Sequence, residues 1–284
     1  MADFEEAARL YEKAARAGDA DAMYALGECY FNGEGVHSDI KEAVRLFRMA
    51  AERGSADGQC ALGYCYFRGD GIEQSFSDAV KYFAMAAENG HVGAQTELGF
   101  CYLHGTGVAR DIAEGIRRLT KAAENGGLDA QRELWKRYAS GDGVKQDTAE
   151  AERWLIMGAK QGDAERQYDV AYRYYHGLGL NEDRAEAIKW YRRAAENGHT
   201  DAQFELGQIY FYGNGTDKDY AEAIKWHLFA AENGHRDAQY HMGLCYEFGY
   251  GVTADSDKAA EWYYKAAVRG QADAQKKLKD VFDE

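Results

Sequence analysis

The phrase Ala-Ala-x-x-Gly, or a close variant, closes at Gly18, Gly54, Gly90, Gly126, Gly162, Gly198, Gly234 and Gly270, each 36 residues after the last. Two further series keep the same phase. One is Leu26, Leu62, Leu98, Leu134, Val170, Leu206, Met242 and Leu278; the other is Tyr30, Tyr66, Tyr102, Tyr138, Tyr174, Tyr210 and Tyr246, with Phe282 last. Such a period means that one small unit is built repeatedly, each copy completing its core against the next. The chain reads as a single repeat domain over 1–284: a half repeat over 1–18, seven full repeats over 19–270, and a capping helix over 271–284.

Within a repeat, Ala22, Leu26 and Tyr30 fall at i, i+4 and i+8, one stripe of an α-helix. Ala43, Leu46, Phe47, Ala50 and Ala51 form a second stripe. Between them lies Gly33-Glu34-Gly35-Val36, a loop that supplies positive-φ positions and returns an apolar side chain inward. Helices are predicted near 20–32 and 39–53 of each frame. The chain has no Pro and 32 Gly, so glycine does the punctuating. First-turn acids (Asp21, Asp57, Asp129, Glu165, Asp201, Asp237) suit the helix dipole. No strand pattern occurs, and one helix pair has too little core alone. The fold class predicted is all-α, a right-handed α-solenoid superhelix of 36-residue helix-turn-helix repeats. Gly27, Gly63, Gly99, Gly207 and Gly243 sit in mid-helix, where glycine costs about 1 kcal/mol relative to alanine. Close approach of a neighbouring helix is the expected reason, with the alanine column (Ala43, Ala79, Ala223, Ala259) facing the glycines.

A net charge of −14 argues against nucleic acid or an anionic membrane as the main partner. Nothing approaches 18 consecutive apolar residues, so no membrane insertion is expected. The opening MADFEEAARLYEKAA reads as an acidic amphipathic helix rather than a signal peptide. Five Cys form no CxxC pair; free, buried thiols point to a reducing, cytoplasmic setting, and to a periplasmic or secreted one only if a leader was removed.

The Ala-x-x-x-Leu-Gly-x-x-Tyr helix, the Gly-x-Gly-Val loop, the Asp-x-x-x-Ala-x-x-Trp/Tyr second helix and the Ala-Ala-x-x-Gly ending together resemble Sel1-like repeats, relatives of the tetratricopeptide repeat. The latter would have a 34-residue period and a Pro near its end, and this chain has neither. The resemblance implies a non-catalytic scaffold or adaptor whose first helices line a concave groove for a protein or peptide segment. A cysteine-rich bacterial branch bridges its paired helices and is linked to β-lactam binding. Cys60 falls where such a Cys could stand, but Ala50 and Ala51 occupy the partner positions. A small-molecule or cell-wall-fragment binder with weak hydrolase activity is therefore the second reading, and self-assembly through the solenoid ends a third; a monomer is expected.

The Gly-x-Gly loops join helix to helix and lack Gly-Lys-Ser/Thr, so they read as turns, not phosphate cradles. His91, His199 and His235 share one column, and His104 and His176 another; successive copies stand roughly 8–10 Å apart, too far for shared metal bonds. Cys29, Cys65, Cys101 and Cys245 form a column of small buried hydrophobes. No G-x-S-x-G motif is present. No enzyme activity, metal or cofactor is expected.

Positions equivalent to 24, 28, 31 and 32 should face the groove: Tyr24, Glu28, Phe31 and Asn32 in repeat 1, and Cys60, Tyr64, Phe67 and Arg68 in repeat 2. The column of Phe31, Phe67 and Phe211 either joins them or packs between repeats. Repeat 4 differs, with Trp135 in the glycine column and Arg132 and Lys136 on the stripe; Arg137, Arg166 and Arg173 lie nearby. This reads either as a basic centre in an acidic chain or as repeat decay. The candidate groove residues are Phe100, Arg132, Lys136, Tyr168, Tyr172, Tyr175, Phe204 and Tyr212, with an acidic or carboxylate-bearing partner segment docking across repeats 3–6. Aromatic residues and Arg are what interfaces favour.

Overall fold

A computed structural model describes residues 2–282, with the backbone alone for Ala2, Asp280, Val281 and Phe282. Phe282 of the tyrosine column and Asp280 of the capping helix thus lie outside the described side chains. Among the described residues there are sixteen α-helices and no strand. Their packing divides the chain into two units, Met1–Asp147 and Thr148–Glu284. The division falls inside the fourth repeat, the one whose mid-helix glycine is replaced by Trp135.

Unit 1 holds α1 (Ala2–Arg16), α2 (Ala20–Asn32), α3 (Ile40–Glu52), α4 (Ala56–Arg68), α5 (Phe76–Glu88), α6 (Val92–His104), α7 (Ile112–Glu124) and α8 (Leu128–Ser140). Unit 2 holds α9 (Thr148–Lys160), α10 (Ala164–His176), α11 (Arg184–Glu196), α12 (Thr200–Tyr212), α13 (Tyr220–Glu232), α14 (Arg236–Phe248), α15 (Ser256–Val268) and α16 (Ala272–Phe282). Within each unit every helix packs on the next, so each is a run of stacked helix pairs, an α-solenoid arrangement.

The helices start and stop for local reasons. Asp19, Asp39, Ser55, Ser75, Asp111, Asp163, Asp183, Asp219 and Asp255 accept from free N–H groups of the first turn. The first helix of each repeat ends on a left-handed glycine such as Gly69. Two residues later Gly71 has φ 67°, and a Cβ there would stand 2.9 Å from the Ile40 carbonyl oxygen of the preceding repeat. That position therefore needs glycine twice over, for its φ and for the contact.

The mid-helix glycines do mark close approach, but not by the alanine column. A Cβ on Gly63 would meet the Phe83 ring at 2.7 Å, and Gly27, Gly99, Gly207 and Gly243 face Phe47, Leu119, His227 and Tyr263 in the same way. The large side chain of the second helix packs against the glycine, and the column alanines are buried in the core. Repeats are also tied by buried glutamines. Gln59 Nε2 donates to the Ala51 carbonyl, and its Oε1 accepts from Asn89 at 2.9 Å; Gln95, Gln167 and Gln203 repeat the pattern with Asn125, Asn197 and Asn233. Among the described residues, no helix is long and apolar enough to cross a membrane. The five cysteines are buried and free.

Candidate protein-interaction site

In unit 1, α2 and α4 approach each other directly, and a cavity of about 330 Å³ opens on their shared face. It is framed by the side chains of the predicted stripe: Tyr24, Glu28, Phe31 and Asn32 from α2, and Cys60, Tyr64 and Arg68 from α4. Phe47, Cys60 and Cys65 are buried at its depth. Burial pushes the Cys60 thiol up to about 12, with Glu97 and Asp57 adding to the effect, so it stays protonated and acts as apolar surface. Half-burial likewise raises the Glu28 carboxyl, and the Glu34 charge raises it further. Among the described residues no ion pair engages Glu28 or Asp70, which also lines the cavity. The Tyr64 hydroxyl donates to Glu97 at 2.8 Å, and the Arg68 guanidinium lies 5.2 Å over the Tyr64 ring.

The histidine column proves to be structural. Nδ1 of His91, His199 and His235 accepts from the N–H of Ala94, Ala202 and Ala238 at 3.0, 3.2 and 3.2 Å, capping α6, α12 and α14. Nε2 therefore carries the proton, and it faces Asp57, Glu165 and Asp201 of the preceding repeat at 3.3, 3.1 and 3.5 Å. In unit 2 these rings also cover aromatic neighbours. His199 stacks on Tyr168 at 4.5 Å and His235 on Phe204 at 4.4 Å. In unit 1 the residue equivalent to Tyr168 and Phe204 is Cys60, which offers His91 no ring. Both His91 and Cys60 line the cavity.

The eight predicted groove residues separate by unit. Phe100 on α6 is half-buried and stacks on His104 at 6.4 Å, while Arg132 and Lys136 are exposed on α8. In unit 2, Tyr168 is half-buried between Tyr191 and His199, and Tyr172 is exposed beside His176. Tyr175 lies under the Arg184 guanidinium at 5.4 Å. Phe204 is held among His227, His235 and His241, and Tyr212 is exposed beside Phe211. The column of Phe31, Phe67 and Phe211 is divided: Phe67 lies 5.3 Å from Phe76 and Phe211 lies 5.3 Å from Tyr250 of the next repeat, whereas Phe31, 6.3 Å from Phe47, also lines the cavity.

Most of the basic cluster is occupied by its own acids. Arg137 is buried and bonded to Glu133 at 2.7 Å and to Asp142 at 3.1 Å. Arg166 is buried beside Asp163 at 3.6 Å, and Arg173 bonds Glu152 at 2.6 Å. Arg132 pairs with Asp129 in its own helix at 2.6 Å, both exposed, a contact of small energy. Lys136 is exposed and engages no ion pair among the described residues. Trp135 beside it is half-buried.

Sequence reasoning did not find the unit 1 cavity, whose signal is the small Cys60 in a column otherwise holding Tyr24, Thr96, Arg132, Tyr168, Phe204 and Tyr240. It also did not find a buried imidazole pair in unit 2. His227 and His241 have ring centroids 4.9 Å apart, and both His227 nitrogens and Nδ1 of His241 lack a hydrogen-bond partner. Burial drives the His227 pKa well below the ordinary value and brings that of His241 down to about 4. Among the described residues, no three His, Cys, Asp or Glu side chains gather as a metal site.

The model of the Sel1 repeat matches eight stretches, 1–19, 20–55, 56–91, 92–127, 129–163, 165–199, 200–235 and 236–270, in step with the helix pairs. No curated protein matches the chain. Among solved structures, c5321, described as a protective antigen of uropathogenic Escherichia coli with an SLR fold, is 34% identical with a TM-score of 0.79. The similarity covers 98% of this chain but 59% of that one, so the present chain spans about three-fifths of that relative's length. A Sel1 repeat protein from Oxalobacter formigenes is 33% identical over 96% of this chain and 79% of its own, with a TM-score of 0.66. The mid-helix glycines packed against large side chains, the paired loop glycines and the eight matched repeats agree, and the chain belongs to the Sel1-repeat family.

Proposed function

We propose that this chain is a non-catalytic adaptor that holds a segment of another protein against the exposed faces of its first helices. The Sel1-repeat fold is in general a protein-interaction scaffold. The observation that carries the reading here is the cavity of about 330 Å³ framed by successive stripe residues of α2 and α4. Its aromatic sides and mixed polar rim suit recognition of side chains. Its chemistry suits binding rather than reaction, since the Cys60 thiol is held protonated and no Ser lines the space. On α8 of the same unit, Arg132 and Lys136 are the cations left accessible, and they are the proposed contacts for a carboxylate of the segment.

The test is titration of the isotope-labelled full chain with a capped decapeptide carrying two Glu and two Leu, and with its Gln counterpart. The Glu peptide is expected to shift the amides of Arg132 and Lys136 saturably and to bind more tightly than the Gln peptide. Arg132→Glu/Lys136→Glu should abolish the difference and leave the helical circular dichroism unchanged. Equal binding of both peptides to the wild type would remove the carboxylate contact.

A further inference from the structure

We propose that the cavity between α2 and α4 receives a lysine or arginine side chain of the bound segment, its stem between the tyrosine rings and its charge beside Glu28. This deepens the scaffold reading above and rests on it.

Three observations point the same way. The depth of the cavity is apolar, with Phe47, Cys60 and Cys65 buried, and it accommodates methylene groups. Tyr24 and Tyr64 line the space, and a cation within about 6 Å of an aromatic ring face is attracted by its quadrupole. The polar rim is acidic. Glu28 and Asp70 have no paired cation among the described residues, Asp57 is met only by the His91 N–H, and the one cation, Arg68, already covers Tyr64. Glu28 is costly to hold ionised while half-buried, as the upward displacement of its pKa shows. An incoming ammonium or guanidinium would relieve that cost, whereas an anionic or neutral side chain would not.

The equivalent position differs between the repeats. Where Tyr168 and Phe204 fill the room under His199 and His235, Cys60 leaves it open under His91. The same unit then carries two unlike stations: an acidic, aromatic cavity on α2 and α4, and accessible cations on α8. The segment proposed is accordingly bipolar, a basic residue at one station and an acidic one at the other.

The experiment uses the full chain and capped pentapeptides Gly-Gly-x-Gly-Gly in which x is Lys, Arg, norleucine or Glu, followed through backbone amide shifts. The Lys and Arg peptides are expected to shift Glu28, Cys60 and Tyr64 saturably, with the norleucine peptide weaker by on the order of fivefold. Glu28→Gln should weaken the Lys peptide by a similar factor. Cys60→Phe should abolish the response while the helical signal stays, because Phe204 fits the same position under His235. Norleucine binding as tightly as Lys, or a Lys response unchanged in Glu28→Gln, would overturn the assignment, and the latter variant serves even if Cys60→Phe does not fold. An acidic decapeptide that moves the α8 amides while the Lys peptide moves nothing overturns the cavity assignment alone. Silence at both stations defeats the scaffold reading as well.

Discussion

Units 1 and 2 use the same helix pair and the same histidine cap, yet they treat the space beneath that histidine in opposite ways. In unit 2 the cap ring lies on an aromatic neighbour, Tyr168 or Phe204, at about 4.5 Å, which occupies the space beneath it. In unit 1 the corresponding neighbour is Cys60, and a cavity opens instead. The side chain that lies against the cap ring thus varies from repeat to repeat, at a position the backbone does not depend on. Repeat proteins can therefore vary the surface of one repeat without altering the fold. The frame is held by glycines, alanines and capped helix ends, while the stripe varies.

The largest test converts the closed face into the open one. Phe204→Cys should cost about 2–3 kcal/mol, below the range for a fully buried Phe because Phe204 is half-buried, and it removes the stack with His235 along with its contacts to His227 and His241. Urea denaturation would measure it. A cost under about 0.5 kcal/mol would mean that the ring stack contributes nothing to closing unit 2, and that Cys60 alone does not explain the cavity in unit 1.

The contrast also shows what sequence could reveal. The period, the helix positions, the loop glycines and the stripe are legible because each is a local pattern repeated in phase. The cavity is not local. It needs Cys60 to be read against His91, 31 positions away, and against the residues that fill its place in later repeats. The same limit applies to the basic cluster. Glu133–Arg137 and Asp163–Arg166 are i,i+4 and i,i+3 pairs that the sequence already contains, whereas Arg173 reaches Glu152 across 21 residues. Counting cations along a stripe overstates the field wherever tertiary acids meet them. The glycine column was legible as a close approach, but its partner was not, because Phe47 and Ala43 share one face of α3 and only packing decides which lies on Gly27.

A second test concerns the rings that lie on those glycines. Unit 1 places Phe47 and Phe83 there, and unit 2 places His227, whose nitrogens lack partners. A buried unsatisfied polar group costs about 1–3 kcal/mol, so His227→Phe should stabilise the protein by roughly 1–2 kcal/mol at pH 7. The gain should grow in acid. The ring is faced by His241, His235, Phe204 and Phe211, while Asp237 acts on His241. Both imidazoles titrate lower in the fold than the ordinary 6.5, His241 at about 4 and His227 well below the ordinary value. Their contribution is thus present above about 6.5 and lost as pH falls toward the folded values, because the unfolded state takes up the protons first. Denaturation of both proteins at pH 7 and pH 5 checks this: the difference should widen at pH 5, and a constant difference would show that His227 is not titrating against a buried neutral state.

The smallest effect isolates the ring itself. Serine caps α4 and α5 through Ser55 and Ser75, so His→Ser at a cap position keeps an acceptor for the first-turn N–H and removes only the imidazole. In unit 1, His91→Ser should be nearly neutral, since Cys60 offers the lost ring no stack and an exposed pair with Asp57 is worth little. In unit 2, His235→Ser loses an equivalent contact with Asp201 but also the stack on Phe204 at 4.4 Å. Aromatic pairs contribute about 0.5–1.5 kcal/mol beyond buried area, so His235→Ser should cost about 1 kcal/mol more than His91→Ser. The two substitutions share the cap, the new residue and the acid across the repeat, so their difference reads the stack alone. Equal costs would show that both histidines act only as caps, and that unit 2 is closed by Tyr168 and Phe204 whether or not a ring lies over them.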